Sequence, residues 1–232
     1  RYLTPAVISP DRKSPGILHF TGRDGYEHCE LLNIDCAFPV LHGKNGEDGT
    51  IQGLLEMSGI PYVGCGVQAS ANCMDKTITH TLLDAAGIPG AKWRKAFVSD
   101  LNRLEELEPE WSQYLGYPMF VKPANAGSSV GVTKVKGLKE LRAALELAFT
   151  IDEKAIIEEA VDGIEVETAV LGNSNPQGAA VGEIVPTQEF YSYTAKYSDE
   201  STDLYIPARI SEEDTQKIRE TAVKAYQVLG CS

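Results

Sequence analysis

The sequence predicts an α/β (α+β) protein, and three features carry that expectation. Short apolar runs, such as residues 34–41 and Met119-Phe120-Val121, stop at glycine, proline or charge, as strands of a sheet do. Between them lie longer stretches whose apolar residues recur every three or four positions, the spacing of one helix face. At 232 residues, 43% apolar and 23% charged, the chain can hold one large or two small domains with a proper core.

Residues 5–33, with Ser9-Pro10-Asp11 and the turn Gly22-Arg23-Asp24-Gly25, are expected to be short strands and loops. Residues 34–41 are apolar enough for a strand of a buried parallel sheet. The loop after them, 42–49, carries three glycines and four ionisable side chains, at the carboxyl end of that strand where open α/β sheets bind ligands. Thr50 to Ser58 has helical spacing in Ile51, Leu54 and Leu55, and 59–64 forms the next turn and strand. A helix is predicted over 70–86, with Met74, Ile78, Leu82 and Leu83 about a turn apart and Gly87 closing it. Lys76 and His80 share a face of it, either as functional groups or as a solvated lysine and a packed histidine.

Pro89 to Val98 opens a new segment. Leu101, Leu104, Leu107 and Trp111 mark an amphipathic helix to Tyr114, and Leu138, Leu141, Leu145 and Ala148 mark another to Phe149. Residues 155–163 make a strand that turns polar at its end. In 165–171, Val166 and Val170 alternate with Glu165 and Glu167, which as an outer strand face would need no further role. Gly182 to Val185 is another strand. Residues 186–207, with four tyrosines and little periodicity, form a long loop of the kind that usually has a function, and Ser211 caps a final helix to Leu229.

The chemistry concentrates between Pro118 and Val132. Lys122 leaves the end of a strand beside Pro123, and Gly127 and Gly131 let the backbone between them turn sharply, bringing N–H groups and the Ser128 and Ser129 hydroxyls toward an anion. This is neither the Walker pattern nor GxGxxG. Residues 127–131 fit the G-x-S-x-G elbow of α/β-hydrolases, but that elbow runs from strand into helix, whereas Val130, Val132 and Val135 point to a second strand. A plain glycine-serine hairpin with a solvated Lys122 is the remaining alternative.

The net charge of −12 makes a nucleic-acid surface unexpected and suits a small phosphorylated ligand with a divalent cation, although acidity also serves solubility. Five cysteines, an odd number with no C-x-x-C pair, read as reduced thiols of a cytoplasmic protein. No run approaches the roughly 18 apolar residues of a membrane span. With no initiating Met, and a stop just after a helical stretch, the chain reads as cut at both ends.

Five stretches together resemble the D-alanine:D-alanine ligase family of ATP-grasp enzymes: LHGKNGEDGTIQGLLEMSGIPYVGCG at 41–66, MDK at 74–76, VKPANAGSSVGV at 121–132, IIEEAVDGIEVETAVLG at 156–172 and AKYSDESTDLYIPA at 195–208. The sequence is also similar to vancomycin-resistance relatives that join D-alanine to D-serine or D-lactate. The resemblance implies an incomplete ATP-grasp fold: an N-terminal open α/β substrate domain at 1–66, a central α+β lid subdomain at 67–157 and a C-terminal ATP-grasp subdomain at 158–232. It implies a homodimer acting on D-alanine and a second D-amino acid, with ATP and Mg²⁺.

By the same resemblance, Lys76 and Lys122 hold ATP phosphates and Ser128 with Ser129 closes over them. Glu158, beside Glu159, contacts adenine together with the backbone of Ala160 and Val161, and Glu165 contacts ribose. His42 belongs to the second D-amino-acid site, near Glu47 and Asp48. Ser128 and Tyr197 position the first D-alanine, and Lys196 reaches the phosphoryl in transfer. The family's magnesium ligands and an arginine would follow Ser232, and a substrate-gripping glutamate would precede Arg1, so no metal ligand is assigned in this chain. The alternative from another class is a nucleotide-binding module without catalysis.

Overall fold

The computed structural model describes residues 4–22, 27–185 and 203–232. It divides into two units, residues 1–71 and 72–232. In the first, β1 (Ala6–Ile8), β2 (Gly16–Thr21) and β3 (His28–Asn33) form an antiparallel sheet in chain order, as the short strands expected there would. Most of the expected turn at 22–25 lies outside the described residues.

Helix α1 (Thr50–Ser58) occupies its predicted span. The loop before it is shaped by its own acids. Asp48 accepts hydrogen bonds from the backbone N–H of Asn45 at 2.8 Å and of Thr50 at 3.0 Å, and Glu47 accepts from Gly43. These bonds hold a chain that is left-handed at Gly43, Asn45 and Gly49, residue types that tolerate positive φ. A side chain at Gly49 would also sit 2.6 Å from the carbonyl of Val67.

The strand expected over 34–41 is not formed. Ala37 makes a single parallel bridge with Tyr62, while Phe38 and Val40 are 73% and 71% exposed. Ala37 donates to the Pro61 carbonyl and accepts from Val63, but Pro39 and Pro61 have no N–H to extend the ladder in either direction.

The single helix predicted over 70–86 is two helices, α2 (Val67–Met74) and α3 (Lys76–Ala85). Asp75 breaks it: its carboxylate accepts from the N–H groups of Thr77 at 3.0 Å and Ile78 at 3.2 Å, and an extended capping residue has to start a new helix. Gly87 follows α3 in the left-handed conformation, as expected.

The second unit then builds β4 (Trp93–Phe97), a 3-10 turn at Val98–Arg103, α4 (Leu104–Leu115), β5 (Met119–Pro123), β6 (Thr133–Val135), α5 (Leu138–Phe149) and β7 (Lys154–Glu159). The strands form one antiparallel sheet in the order β4-β7-β5-β6. Alternation along β5 sends Met119 and Val121 into the core with Leu104, Trp111, Leu141 and Leu145. On α5 the buried face is Leu141, Ala144, Leu145 and Ala148; Leu138, expected in the stripe, is exposed. Because β5 leads through a turn into antiparallel β6, the hydrolase elbow is excluded.

A second sheet has the order β10-β9-β8, from β8 (Glu165–Leu171), β9 (Gln177–Val185) and β10 (Asp203–Tyr205). Strand β9 begins earlier than the predicted Gly182. The long loop's last part is β10, and its residues 186–202 lie outside the described residues. Helix α6 (Glu212–Val228) is capped by Ser211, whose hydroxyl accepts from the N–H of Asp214 at 3.0 Å. It packs on β8 and β9, where Arg219 donates to the Gly178 carbonyl at 2.8 and 3.0 Å.

Candidate functional site

Strand alternation that buries Met119 and Val121 turns Phe120 and Lys122 to the opposite face of β5. Phe120 pairs with Glu158 on β7, so Lys122, two residues along, is a diagonal neighbour of that carboxylate. The two form an ion pair, with side chains 29% and 9% exposed. Helix α3 supplies the other partner. His80 Nε2 lies 2.7 Å from the second carboxylate oxygen of Glu158. Burial alone would raise the Glu158 pKa; the hydrogen bond from His80 and the charge of Lys122 outweigh it and hold the group at about 2. It is therefore ionised and can only accept, so both hydrogens belong to the partners.

Lys76 begins α3 and is fixed at both ends. Its backbone N–H donates to the Ala124 carbonyl at 3.1 Å, and its ammonium donates to the Ala126 carbonyl at 2.6 Å. The helix start is tied to the sheet by an ion pair between Asp75 and Lys154 on β7. Burial pushes the Lys76 ammonium below its ordinary 10.5, and the positive charge of Lys122 adds to that, while Glu158 and Asp75 oppose it. An amine that is partly desolvated beside a second cation gains most from a polyanion.

The glycine-serine turn differs from its predicted form. Val130 donates to the Gly127 carbonyl at 3.1 Å across Ser128 and Ser129, whose φ values are 53° and 58°. Two left-handed central residues make this a type I′ turn, with the unfavourable conformations placed on the serines. Gly131, at φ 72°, is a required glycine, since a Cβ there would lie 3.0 Å from the Pro123 ring and 2.4 Å from Ile151 Cδ1. Asp152 steadies the near side of the loop through the backbone and side-chain amides of Asn125, at 2.7 and 2.9 Å.

These groups line a cavity of about 410 Å³ that brings together Lys76, Lys122, Ser128, Ser129, Phe120 and Glu165. A larger one of about 810 Å³ shares Phe120 and Glu165 as wall and adds Ala160, Val161, Lys134 and Arg209. The first suits a polyphosphate, by its two ammonium groups and its turn. The second suits an attached flat ring and sugar, by its apolar wall, main-chain groups and a carboxylate at the junction. Arg209 is held there by Glu183 at 2.7 and 2.9 Å and lies 3.7 Å from the Tyr205 ring; its hydrogen bonds keep the Glu183 carboxyl at about 2.

Of the residues predicted from sequence, Lys76, Lys122, Ser128, Ser129 and Glu165 meet at the first cavity, and Ala160 and Val161 border the second. Glu158 lies between Lys122 and His80, so an adenine contact through its carboxylate would compete with both. Glu159 is engaged with Lys92, accepting from its N–H at 2.8 Å and pairing with its ammonium at 3.4 Å. His42 is an exposed residue of the first unit. Lys196 and Tyr197 lie outside the described residues. Sequence reasoning missed Asp75, although an aspartate ahead of a helical run is a capping signal. It also missed Phe120, Lys134, Lys154, Glu183 and Arg209, which only strand register brings to these places. Among the described residues, no three His, Cys, Asp or Glu side chains converge as metal ligands.

Two family models match the chain, described as D-ala D-ala ligase N-terminus over residues 11–65 and D-ala D-ala ligase C-terminus over 82–232. The D-alanine–D-alanine ligase of Thermoanaerobacter sp. (strain X514) is 47% identical over 227 residues, 97% of this chain and 62% of the relative. That of Acetivibrio thermocellus is 52% identical over 211 residues, 89% of this chain and 55% of the relative. Among solved structures, the VanG D-Ala:D-Ser ligase from Enterococcus faecalis superposes with a TM-score of 0.84 at 44% identity, over 99% of this chain and 64% of that one. The D-alanine-D-alanine ligase from Coxiella burnetii gives 0.74 at 33% identity, over 94% and 59%. The chain thus spans about 62% of the length of the first of these relatives.

Proposed function

Since the chain belongs to the D-alanine:D-alanine ligase family and carries part of its ATP-grasp fold, we propose that its parent joins two D-alanine molecules at the expense of ATP. The observation that supports this most is the convergence of Lys76 and Lys122, from separate elements, on one cavity lined by the Ser128-Ser129 turn. Transfer of the γ-phosphoryl to a carboxylate brings two anions together, and the lysines lower that repulsion before reaction. The acyl phosphate so formed is attacked by the amine of the second D-amino acid, releasing phosphate and leaving the dipeptide.

In this reading Lys76 and Lys122 bind the phosphates and Ser128 and Ser129 cover them. The backbone of Ala160 and Val161 faces the adenine, and Glu165 takes the ribose hydroxyls. Glu158 acts chiefly through Lys122, and Glu159 through Lys92 and the strand end. His42 serves the second amino-acid site, Tyr197 the first, and Lys196 the phosphoryl in flight. Mg²⁺ would neutralise phosphate charge, but the described residues offer it no ligand set, so no step is assigned to it. We further propose a division of the chain into an N-terminal domain at 1–66 and subdomains at 67–157 and 158–232, a cytoplasmic location and a homodimer, which sedimentation equilibrium checks.

The test is phosphate release by the full-length protein in the presence of ATP. It should require D-alanine, and turnover indifferent to every D-amino acid overturns the reading. The similarity to VanG favours a second reading, with D-serine as second substrate. A panel of D-alanine, D-serine and D-lactate as second substrate separates the two. Binding of ATP without turnover in any combination leaves only a nucleotide-binding module.

A further inference from the structure

We infer that His80 is a positioning residue for the phosphate site, acting through Glu158 to hold the Lys122 ammonium at the cavity. The inference rests on the ATP-binding reading above and adds a residue to it. Glu158 has two oxygens, and the structure divides them: Oε1 accepts from His80 Nε2–H at 2.7 Å and Oε2 pairs with Lys122. The ring cannot easily turn away. Its side chain is 18% exposed, it sits one turn after Lys76 on a helix whose start is tied down, and the Trp93 ring lies 5.5 Å away. Trp93 is itself anchored, its indole N–H donating to Asp84 at 2.8 Å.

The consequence concerns competition. A carboxylate with both oxygens free to turn to Lys122 would compete with a phosphate for that ammonium. With Oε1 engaged by His80, Glu158 is fixed in one orientation and shares its charge, so Lys122 is aimed but not neutralised. Loss of the His80 donor leaves a buried carboxylate oxygen to find its partner among the neighbouring lysines, Lys122 first and then Lys76. The phosphate-binding pair then loses effective charge, and ATP is held less firmly.

The experiment compares wild type, His80→Phe and His80→Gln in the full-length protein, by calorimetry with a non-hydrolysable ATP analogue and by steady-state kinetics. Glutamine can present an amide N–H at nearly the distance of the imidazole Nε2; phenylalanine keeps the ring and removes the donor. His80→Phe is expected to weaken analogue binding and raise KM for ATP by about tenfold or more, the usual effect of a hydrogen bond to a charged group. KM for D-alanine stays within about twofold, and His80→Gln recovers most of the loss. Unchanged ATP binding in a folded His80→Phe protein, or equal losses in both variants, overturns the role of His80 while leaving the ATP site in place. Absence of analogue binding by wild type overturns the site itself. Should His80→Phe fail to fold, ¹⁵N spectra of the wild-type imidazole decide: a hydrogen on Nε2 supports the inference, and the neutral Nδ1–H form refutes it.

Discussion

Replacing Glu158 by glutamine removes one charge from the centre of the site while keeping the shape of the side chain. In the native protein this carboxyl is held at about 2 against an ordinary 4.5, which corresponds to ~3 kcal/mol of preference for the ionised form. A depressed carboxyl pKa stabilises the fold fully above the unfolded value, near 4.5, and the contribution is lost as pH falls toward 2. Glu158→Gln should therefore cost ~3 kcal/mol at pH 7, with Lys122 and Lys76 left facing each other without their shared anion. At pH 3 the difference from wild type should fall to about 40% of that, because the unfolded-state carboxyl is by then protonated while the native one is still largely ionised. Urea unfolding followed by tryptophan fluorescence measures this directly. Both tryptophans, Trp93 and Trp111, belong to the 72–232 unit, so the signal reports the unit that carries the pair. Other acids titrate over the same range, but they do so in both proteins and cancel in the difference. A cost that is the same at pH 7 and pH 3, or no cost at either, would show that the Glu158 contacts do not stabilise the ionised form as argued.

Three further expectations come from the elements around this pair. Lys76→Met should weaken ATP binding by about tenfold to a hundredfold, the range for a hydrogen bond to a charged group, as read by calorimetry. Because the Lys76 ammonium is pushed below 10.5, ATP affinity should begin to fall as pH rises toward that value, and Lys76→Arg should flatten the decline, since guanidinium stays charged. Asp75→Ala removes the α3 cap and strands Lys154, for a loss of about 2 kcal/mol or more in chemical denaturation, whereas Asp75→Asn keeps the cap and loses less. Gly131→Ala meets the Pro123 ring and a left-handed backbone, and should lower stability by ~1–2 kcal/mol in the same assay; a neutral effect would contradict the turn geometry.

The helices were the most legible part of the fold. Periodicity located α1 and α5 to the residue, because each carries its apolar positions mainly on one side and glycine marks the neighbouring turns. It failed where a single side chain overrides the pattern. Met74, Ile78 and Leu82 continue a helical stripe straight through Asp75, yet the capping carboxylate starts a new helix there. Residues 34–41 failed for the opposite reason. Apolar content suggested a buried strand, but a strand needs donors in register with a partner, and Pro39 and Pro61 remove them.

The site was legible as a set of residue types and much less so as a set of contacts. Lys122 could be placed at a strand end from the sequence, but its meeting with Glu158 depends on β5 and β7 being antiparallel neighbours with Phe120 opposite Glu158. A shift of one residue would turn Lys122 and Glu158 to opposite faces and dissolve the pair. The same register decides the charge of the cavity. Asp75 takes Lys154, which leaves Lys76 and Lys122 beside Glu158, with Glu165 as a second carboxylate on the wall of the cavity. Two ammonium groups are therefore gathered at one place in a chain whose net charge is −12. That gathering cannot be read from composition, because it comes from which acid each lysine meets. It also explains why an acidic protein can draw a polyphosphate to this cavity: at close range two partly desolvated amines outweigh a diffuse surface charge that salt screens within about 10 Å.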